Sequence, residues 1–210
     1  MRTYVYVDGF NLYYGALKDS KYKWLDLKAL FTGILRPQNR IQKIKYYTAR
    51  VSARTDDPDA PTWQDLYLKA LELHIPELTI IEGRFLQKQV TMRLAEPIAG
   101  KQFAKVIKTE EKGSDVNLAV HLVNDGWRDF YDCAVVCSND GDLSEAIRIV
   151  RRELRKTVLP AVPGDPVRRP ASVELKRWAS YTIRIKPDAL AVAQLPDSIP
   201  GTTIHKPAGW

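Results

Sequence analysis

Stretches with the two-residue periodicity of strands alternate along this chain with stretches that have the periodicity of helices. Central-sheet strands are predicted at residues 2–7, 41–51, 78–82, 133–137 and 158–162, and helical segments separate most of them. A strand, a helix and a second strand in succession form a crossover in which the two strands run parallel. The alternation therefore predicts an α/β, Rossmann-like sandwich of three layers, with a mostly parallel central sheet covered by helices.

One segment, residues 85–110, does not fit this alternation. Two β-rich runs flank a Pro-Gly break at residues 96–100, which indicates an inserted β-hairpin. Seven Lys and Arg face three acids between positions 84 and 112, so the hairpin is basic. Its lysines, Lys101 and Lys105 among them, could follow a nucleic-acid backbone. Alternatively, they block strand pairing at an edge. The hairpin could also mediate a homodimer.

The remaining organisation is that of one domain over residues 1–197, followed by a C-terminal tail at 198–210 that we expect to be poorly ordered. A short strand is also predicted at 181–185. No apolar run is long enough to cross a bilayer, and the first residues do not resemble a secretory signal. Cys133 and Cys137 lie too far apart along a strand to form a disulfide. We expect a cytoplasmic protein that does not enter a membrane.

The formal net charge of +7 favours a polyanionic partner. The excess is local, because residues 148–186 hold eleven Lys and Arg but only three acids. Acidic residues that the predicted fold would bring together need a chemical explanation in such a basic chain.

Several acids occur where predicted strands end or helices begin. Asp8 follows the first strand, Asp140 and Asp142 follow the fourth, and Asp115 begins the helix before the fourth. Asn11 lies one helical turn beyond Asp8. Sites in open α/β sheets lie beyond the carboxyl ends of the strands, so these side chains converge if strands one and four are neighbours. Their repulsion would require a shared proton or a divalent cation, and oxygen ligands suit Mg²⁺ or Mn²⁺. Each residue alone could instead be only a helix cap or a turn residue.

Three segments carry a resemblance to a known family: VDGFNLYYG at the start, KGSDVNLAVHLV at 112–123 and VVCSNDGDLSEAI at 135–147. Together with smaller matches they make most of residues 1–197 resemble an NYN domain, a branch of the PIN-like nuclease superfamily. The third segment departs from the family pattern, since Asn139 and Leu143 stand where Gly and Phe are commoner. Neither departure removes a ligand oxygen.

The resemblance implies a PIN-like fold with strand order 3-2-1-4-5, which makes strands one and four neighbours. It also implies Mg²⁺- or Mn²⁺-dependent ribonuclease activity. The family's motif positions fall on Asp8, Asn11, Asp115, Asp140 and Asp142, and the four aspartates are the expected metal ligands.

Two further residues are candidates for supporting roles. Lys112 could contact a substrate phosphate or could be a solvated loop lysine. Ser138 could hydrogen-bond a ligand carboxylate or the backbone.

The sequence thus predicts a metal-dependent nuclease that cleaves single-stranded RNA. The alternatives are an RNA-binding module on a PIN-like scaffold without turnover, and a metal-dependent phosphatase that uses the same acids.

Overall fold

The computed structural model of the protein describes residues 1–208 and 210. No helix among these residues is both long and apolar enough to span a membrane. The elements follow the chain in this order: β1 (Arg2–Asp8), α1 (Gly9–Leu12), a π-helical turn (Tyr13–Leu17), α2 (Leu27–Ile34), β2 (Arg40–Thr48), α3 (Ala60–His74), β3 (Leu78–Glu82), β4 (Arg84–Ile98), β5 (Lys101–Lys112), α4 (Ser114–Trp127), β6 (Cys133–Cys137), a 3₁₀ turn (Gly141–Leu143), α5 (Ser144–Arg152), β7 (Thr157–Pro163), α6 (Val173–Trp178), β8 (Ile183–Ile185) and α7 (Pro187–Val192).

Six strands form one parallel sheet in the order β3-β2-β1-β6-β7-β8. The predicted order 3-2-1-4-5 is confirmed for the first five, and the short strand β8 extends the sheet by a sixth. Ile183 of β8 lies opposite Ala161 of β7. The sequence indicated a strand here but not its place in the sheet. The connection through α6 determines that β8 pairs with β7, because this crossover brings the chain back alongside the free edge of β7 in the parallel direction.

Alternate side chains of the sheet enter two separate cores, one on each face. Val5 and Val7 of β1 belong to the core that also contains Leu71 of α3, whereas Tyr6 belongs to the core that contains Leu118 of α4. This division follows from the two-residue period of a strand. All five residues of β6 are buried, as expected for a central strand covered on both faces. The predicted three-layer architecture is therefore confirmed.

The predicted hairpin is confirmed as well. Within residues 1–208 and 210, strands β4 and β5 pair only with each other, as an antiparallel two-stranded sheet separate from the central one. Ala99 and Gly100 at its tip both have positive φ, at 48° and 74°, and such values favour a tight hairpin turn. Most of its side chains are exposed, so the hairpin stands out from the domain.

The end of the chain packs against the domain and does not form the poorly ordered tail that we expected. Ile199 is buried, and its N–H donates to the carbonyl of Ile204 at 2.9 Å. The ring of Trp210 lies 6.2 Å from that of Trp24 and 5.9 Å from that of Tyr67. The apolar side chains of Ile199 and Trp210 give this segment surface to bury, which the Pro-rich sequence around them concealed.

Candidate active site

The predicted acids meet at the carboxyl edge of the sheet, between β1 and β6. These two strands are in register, with Val7 opposite Cys137, so Asp8 and Ser138 follow at the same height. Ser138 donates to Oδ2 of Asp8 at 3.0 Å, and the backbone N–H of Asn11 donates to Oδ1 at 2.9 Å. Asp8 is almost fully buried. It is thus held from both sides and also caps α1, so the capping role and a place in the site are compatible.

The loop after β6 brings in Asp140. Its N–H donates to the hydroxyl of Ser138 at 3.1 Å, and its Oδ1 accepts from the N–H of Asp142 at 3.0 Å. The carbonyl oxygen of the Asn11 side chain accepts from the N–H of Asn139 at 3.1 Å. These bonds join the first and third motifs into one rigid edge. Asn139 contributes to this edge through its backbone N–H.

Asp115 lies in the first turn of α4, where the N-terminal end of the helix favours an anion. Gly113 precedes this helix with φ of 107°, a conformation that favours glycine. One acid here was missed by sequence reasoning. Glu111, the next-to-last residue of β5, accepts from both the N–H and the hydroxyl of Ser114, at 3.2 and 2.9 Å. Its position four residues before Asp115, where the hairpin meets α4, is the signal that could have identified it.

The carboxylates repel one another across the site. Partial burial, and then the negative charges of Asp8, Asp140, Glu111 and Asp142, raise the pKa of Asp115 to about 6. Burial also raises the pKa of Asp8, although the hydrogen bonds from Asn11 and Ser138 oppose this effect. A site of this kind binds a proton or a cation more readily than an isolated aspartate does.

A cavity of about 370 Å³ opens onto these groups. Arginines from two loops also line this cavity, Arg54 after β2 and Arg169 after β7. Sequence reasoning missed both as site residues, because the loops that carry them are distant along the chain. Asp142 does not line the cavity. The lining comprises Asp8, Phe10, Asn11, Tyr14, Val51, Arg54, Phe85, Glu111, Ser114, Asp115, Asp140 and Arg169.

The donors at the cavity are the kind that Mg²⁺ and Mn²⁺ prefer. The described lining residues offer carboxylate, amide and hydroxyl oxygens and contain neither His nor Cys. Among residues 1–208 and 210, however, no three acidic, imidazole or thiol groups stand close enough to hold one ion between them. Mg²⁺ commonly takes only one or two protein carboxylates and completes its shell with water and phosphate oxygens. Asp8, Asp115 and Asp140 could serve in this way.

The predicted substrate contacts lie in different places. Ser138 is fully buried and bonded to Asp8, so it positions that carboxylate. Lys112 forms an ion pair with Glu110 and does not line the cavity. Lys101 and Lys105 lie far out on the hairpin, on the face that carries Glu111 at its base, since alternate residues of β5 share a face.

The sequence matches the NYN domain family over residues 2–186. It is 33% identical over 236 aligned positions to a protein described as 6-hydroxy-3-succinoylpyridine 3-monooxygenase HspA from Pseudomonas putida, an alignment that covers all of this chain and 75% of the relative. A solved structure of a protein of unknown function from Vibrio parahaemolyticus is similar in fold, with a TM-score of 0.51 and 18% identity. It covers 89% of this chain, and the match covers 94% of the Vibrio chain.

Proposed function

Because the chain belongs to the NYN domain family of the PIN-like nuclease superfamily, we propose that it is a divalent-metal-dependent ribonuclease that hydrolyses phosphodiester bonds of single-stranded RNA. The observation that carries the proposal is the convergence of four acids on one cavity from three segments of the chain: Asp8, Asp140, and the neighbouring pair Glu111 and Asp115. Family membership alone supports only a nuclease-like domain. The acidic cavity is what supports metal-dependent hydrolysis of phosphodiester bonds.

The residues at the cavity have different roles, which follow from their positions. One or two of Asp8, Asp115 and Asp140 would hold the metal, together with water and phosphate oxygens. The side chain of Asn11 and the backbone N–H of Asp142 hold the loop after β6 through hydrogen bonds with Asn139 and Asp140. A bound Mg²⁺ or Mn²⁺ would supply charge neutralisation at the phosphate and a more acidic water. The rigid bonds around Asp8 mean that its carboxylate needs little reorganisation before it binds a cation.

The two arginines supply the opposite charge. Arg54 and Arg169 line the same cavity as the acids, so a phosphate there would meet guanidinium groups as well as acidic groups. Guanidinium is suited to phosphate because its donors form a planar fork. When a divalent cation offsets the charge of the acids, the two arginines favour an anionic substrate over a neutral one.

The hairpin supports a polymer as the substrate. Lys101 and Lys105 extend outward on the face that begins beside the cavity, and a strand of RNA could follow them. Phe103 and Ile107, on the same face, are more than half exposed. The same face could instead pair with a second copy of the chain, and the mass of the protein in solution distinguishes the two roles.

The test compares the wild type with Asp140→Asn on a labelled single-stranded RNA in Mn²⁺, with EDTA as the metal-free control. We expect cleavage by the wild type and a rate at least about 100-fold lower in the variant. Asp188→Asn, an exposed acid in α7 outside the cavity, is the matched control and should cleave normally.

The rival functions give different results in the same experiment. If wild type and Asp140→Asn bind RNA equally and neither cleaves it, the protein is a binding module and the proposal fails. If RNA stays intact while p-nitrophenyl phosphate is hydrolysed in Mn²⁺, the protein is a phosphatase.

We expect activity in the cytoplasm, where Cys133 and Cys137, both free and buried, stay reduced.

A second candidate function comes from the name of the Pseudomonas putida relative. That name describes a monooxygenase, and an aromatic-lined cavity beside the acidic one has room for a pyridine ring. Such a reaction requires O₂ and a two-electron donor, usually through a cofactor. Incubation with 6-hydroxy-3-succinoylpyridine, NADH and flavin tests it. NADH consumption that depends on the pyridine would support this function, and its absence would leave the nuclease.

A further inference from the structure

A second cavity, of about 400 Å³, adjoins the acidic cavity. Phe10, Tyr14, Val51 and Arg54 line both, so the two cavities share one wall. The second cavity lies beside α1 and its π-helical turn, the loop after β2, helix α3 and the end of the chain. Its remaining aromatic lining consists of Tyr13, Tyr46, Trp63, Tyr67 and Trp210.

Contacts with one another and with the backbone hold several of these rings in place. The hydroxyl of Tyr67 donates to the carbonyl of Leu25 at 2.8 Å, and its ring lies 5.9 Å from that of Trp210. Tyr13 meets Tyr14 edge to face, with ring centroids 5.2 Å apart. The cavity thus presents preformed aromatic surface, and a planar ligand would not have to order it.

Polar and charged groups complete the lining. The hydroxyls of Tyr13 and Tyr46 and the indole N–H of Trp63 are hydrogen-bond donors. Lys18 and Lys23 also line the cavity, with Arg54 on the wall shared with the acids.

Cations outnumber acids in this lining. Asp56 and Asp57 are the acids among the described lining residues, against Lys18, Lys23 and Arg54. The ammonium of Lys18 lies 5.5 Å from the ring centre of Tyr14, at the shared wall. A ligand with a planar ring and an attached phosphate matches this distribution, because the ring meets aromatic faces and the phosphate meets cations.

We infer that this cavity receives one unstacked nucleobase of the RNA, from the nucleotide next to the phosphate at the acidic site. The inference rests on the proposed nuclease function, since the acidic cavity defines where that phosphate lies. The shared wall places the two subsites side by side, as neighbouring parts of one nucleotide chain require. Bases of single strands commonly bind by stacking on aromatic side chains, which tolerates different sequences.

The first experiment measures binding without cleavage, in the Asp140→Asn background. Short single-stranded RNAs carry 2-aminopurine at one position each, and its fluorescence falls when the base stacks on aromatic rings. We expect one position to be quenched, and Trp63→Ala to remove the quenching and weaken binding about tenfold. Trp127→Ala, at an exposed tryptophan of α4, is the matched control and should change neither.

The second experiment measures cleavage by the wild type. RNA with an abasic nucleotide at the quenched position should be cut about tenfold more slowly than the intact RNA, and Trp63→Ala should cut both at the same low rate. Tyr14→Ala, at a half-exposed side chain, serves as a second variant if Trp63→Ala does not fold.

The outcomes separate this inference from the proposed function. Quenching at one position without any cleavage supports the base subsite and refutes the nuclease. Cleavage that ignores both the abasic nucleotide and the Trp63 and Tyr14 variants refutes the base subsite and leaves the nuclease. If free 6-hydroxy-3-succinoylpyridine displaces no RNA, the inference stands. If it binds at the cavity more tightly than the RNA, the cavity is a small-molecule site and the inference is overturned.

Discussion

Removing one carboxylate from the acidic cavity should stabilise the fold when no metal is present. The pKa of Asp115 rises from 3.8 to about 6 because burial and the charges of Asp8, Asp140, Glu111 and Asp142 disfavour its ionised form. A difference of this size corresponds to about 3 kcal/mol. Since the side chain is more than a third exposed, solvent screens much of it, and we take about 1 kcal/mol.

The sign of the pH dependence of stability follows from which state, folded or unfolded, binds the proton more tightly. The folded pKa of Asp115 lies above the unfolded one, so between pH 3.8 and about 6 the folded protein holds this proton more tightly. The free energy of unfolding therefore falls as the pH rises through that window, and the full penalty applies above it. Asparagine cannot ionise, so Asp115→Asn escapes the penalty.

The assay is urea unfolding followed by tryptophan fluorescence, in EDTA, at pH 4 and pH 7.5. At pH 7.5 we expect Asp115→Asn to be more stable than the wild type by about 1 kcal/mol, with a melting temperature about 2–4 °C higher. The difference should largely disappear at pH 4. Asp188→Asn, an exposed acid outside the cavity, should show no comparable gain.

Addition of Mn²⁺ should reverse the order of stability. A ligand at 100 times its Kd stabilises the folded state by about 2.7 kcal/mol, and Asp115→Asn should gain less because it lacks a ligand oxygen. If Asp115→Asn is equal to or less stable than the wild type in EDTA at pH 7.5, the acids do not repel one another as the structure implies. The electrostatic reasoning for a cation site would then be wrong.

Two further predictions concern the packing of the first motif and the role of the hairpin. Gly9→Ala should lower stability by about 2 kcal/mol in a thermal melt, because the new Cβ would lie 2.7 Å from the ring of Tyr46; an unchanged melting temperature would contradict this close approach. Lys105→Gln should lower the slope of log K against log salt for RNA binding by about 0.7, as expected for one lost phosphate contact, while Lys108→Gln, whose ammonium already pairs with Glu110, should leave it nearly unchanged. A slope for Lys105→Gln equal to that of the wild type would exclude this face of the hairpin from RNA binding.

The location of Asp8, Asp115 and Asp140 could be predicted because local sequence determines where strands end and helices begin. Asp8 ends β1, Asp140 lies in the loop after β6, and Asp115 lies in the first turn of α4. A parallel sheet with neighbouring strands β1 and β6 therefore brings them to one edge. The neighbourhood of those two strands was itself implied by the family resemblance. Glu111 was missed because it belongs to the inserted hairpin, whose base position depends on tertiary packing.

The arginines and the aromatic cavity show the limit of local reasoning. Arg54 and Arg169 come from loops more than a hundred residues apart, and loop conformation is not determined by periodicity. Trp210 joins Tyr67 and Trp24 only after the end of the chain has folded back onto the domain. Contacts of this kind leave no spacing pattern in the sequence.

The sequence by itself determined the layered α/β architecture, the basic hairpin and the identity of the acids at the strand ends, because periodicity and strand boundaries are properties of short segments. Only the tertiary structure decided that Asp142 stays outside the cavity, that Ser138 positions Asp8, and that arginines and aromatic rings surround the acids. Those features depend on loops and strand register, which bring together residues that the chain keeps far apart.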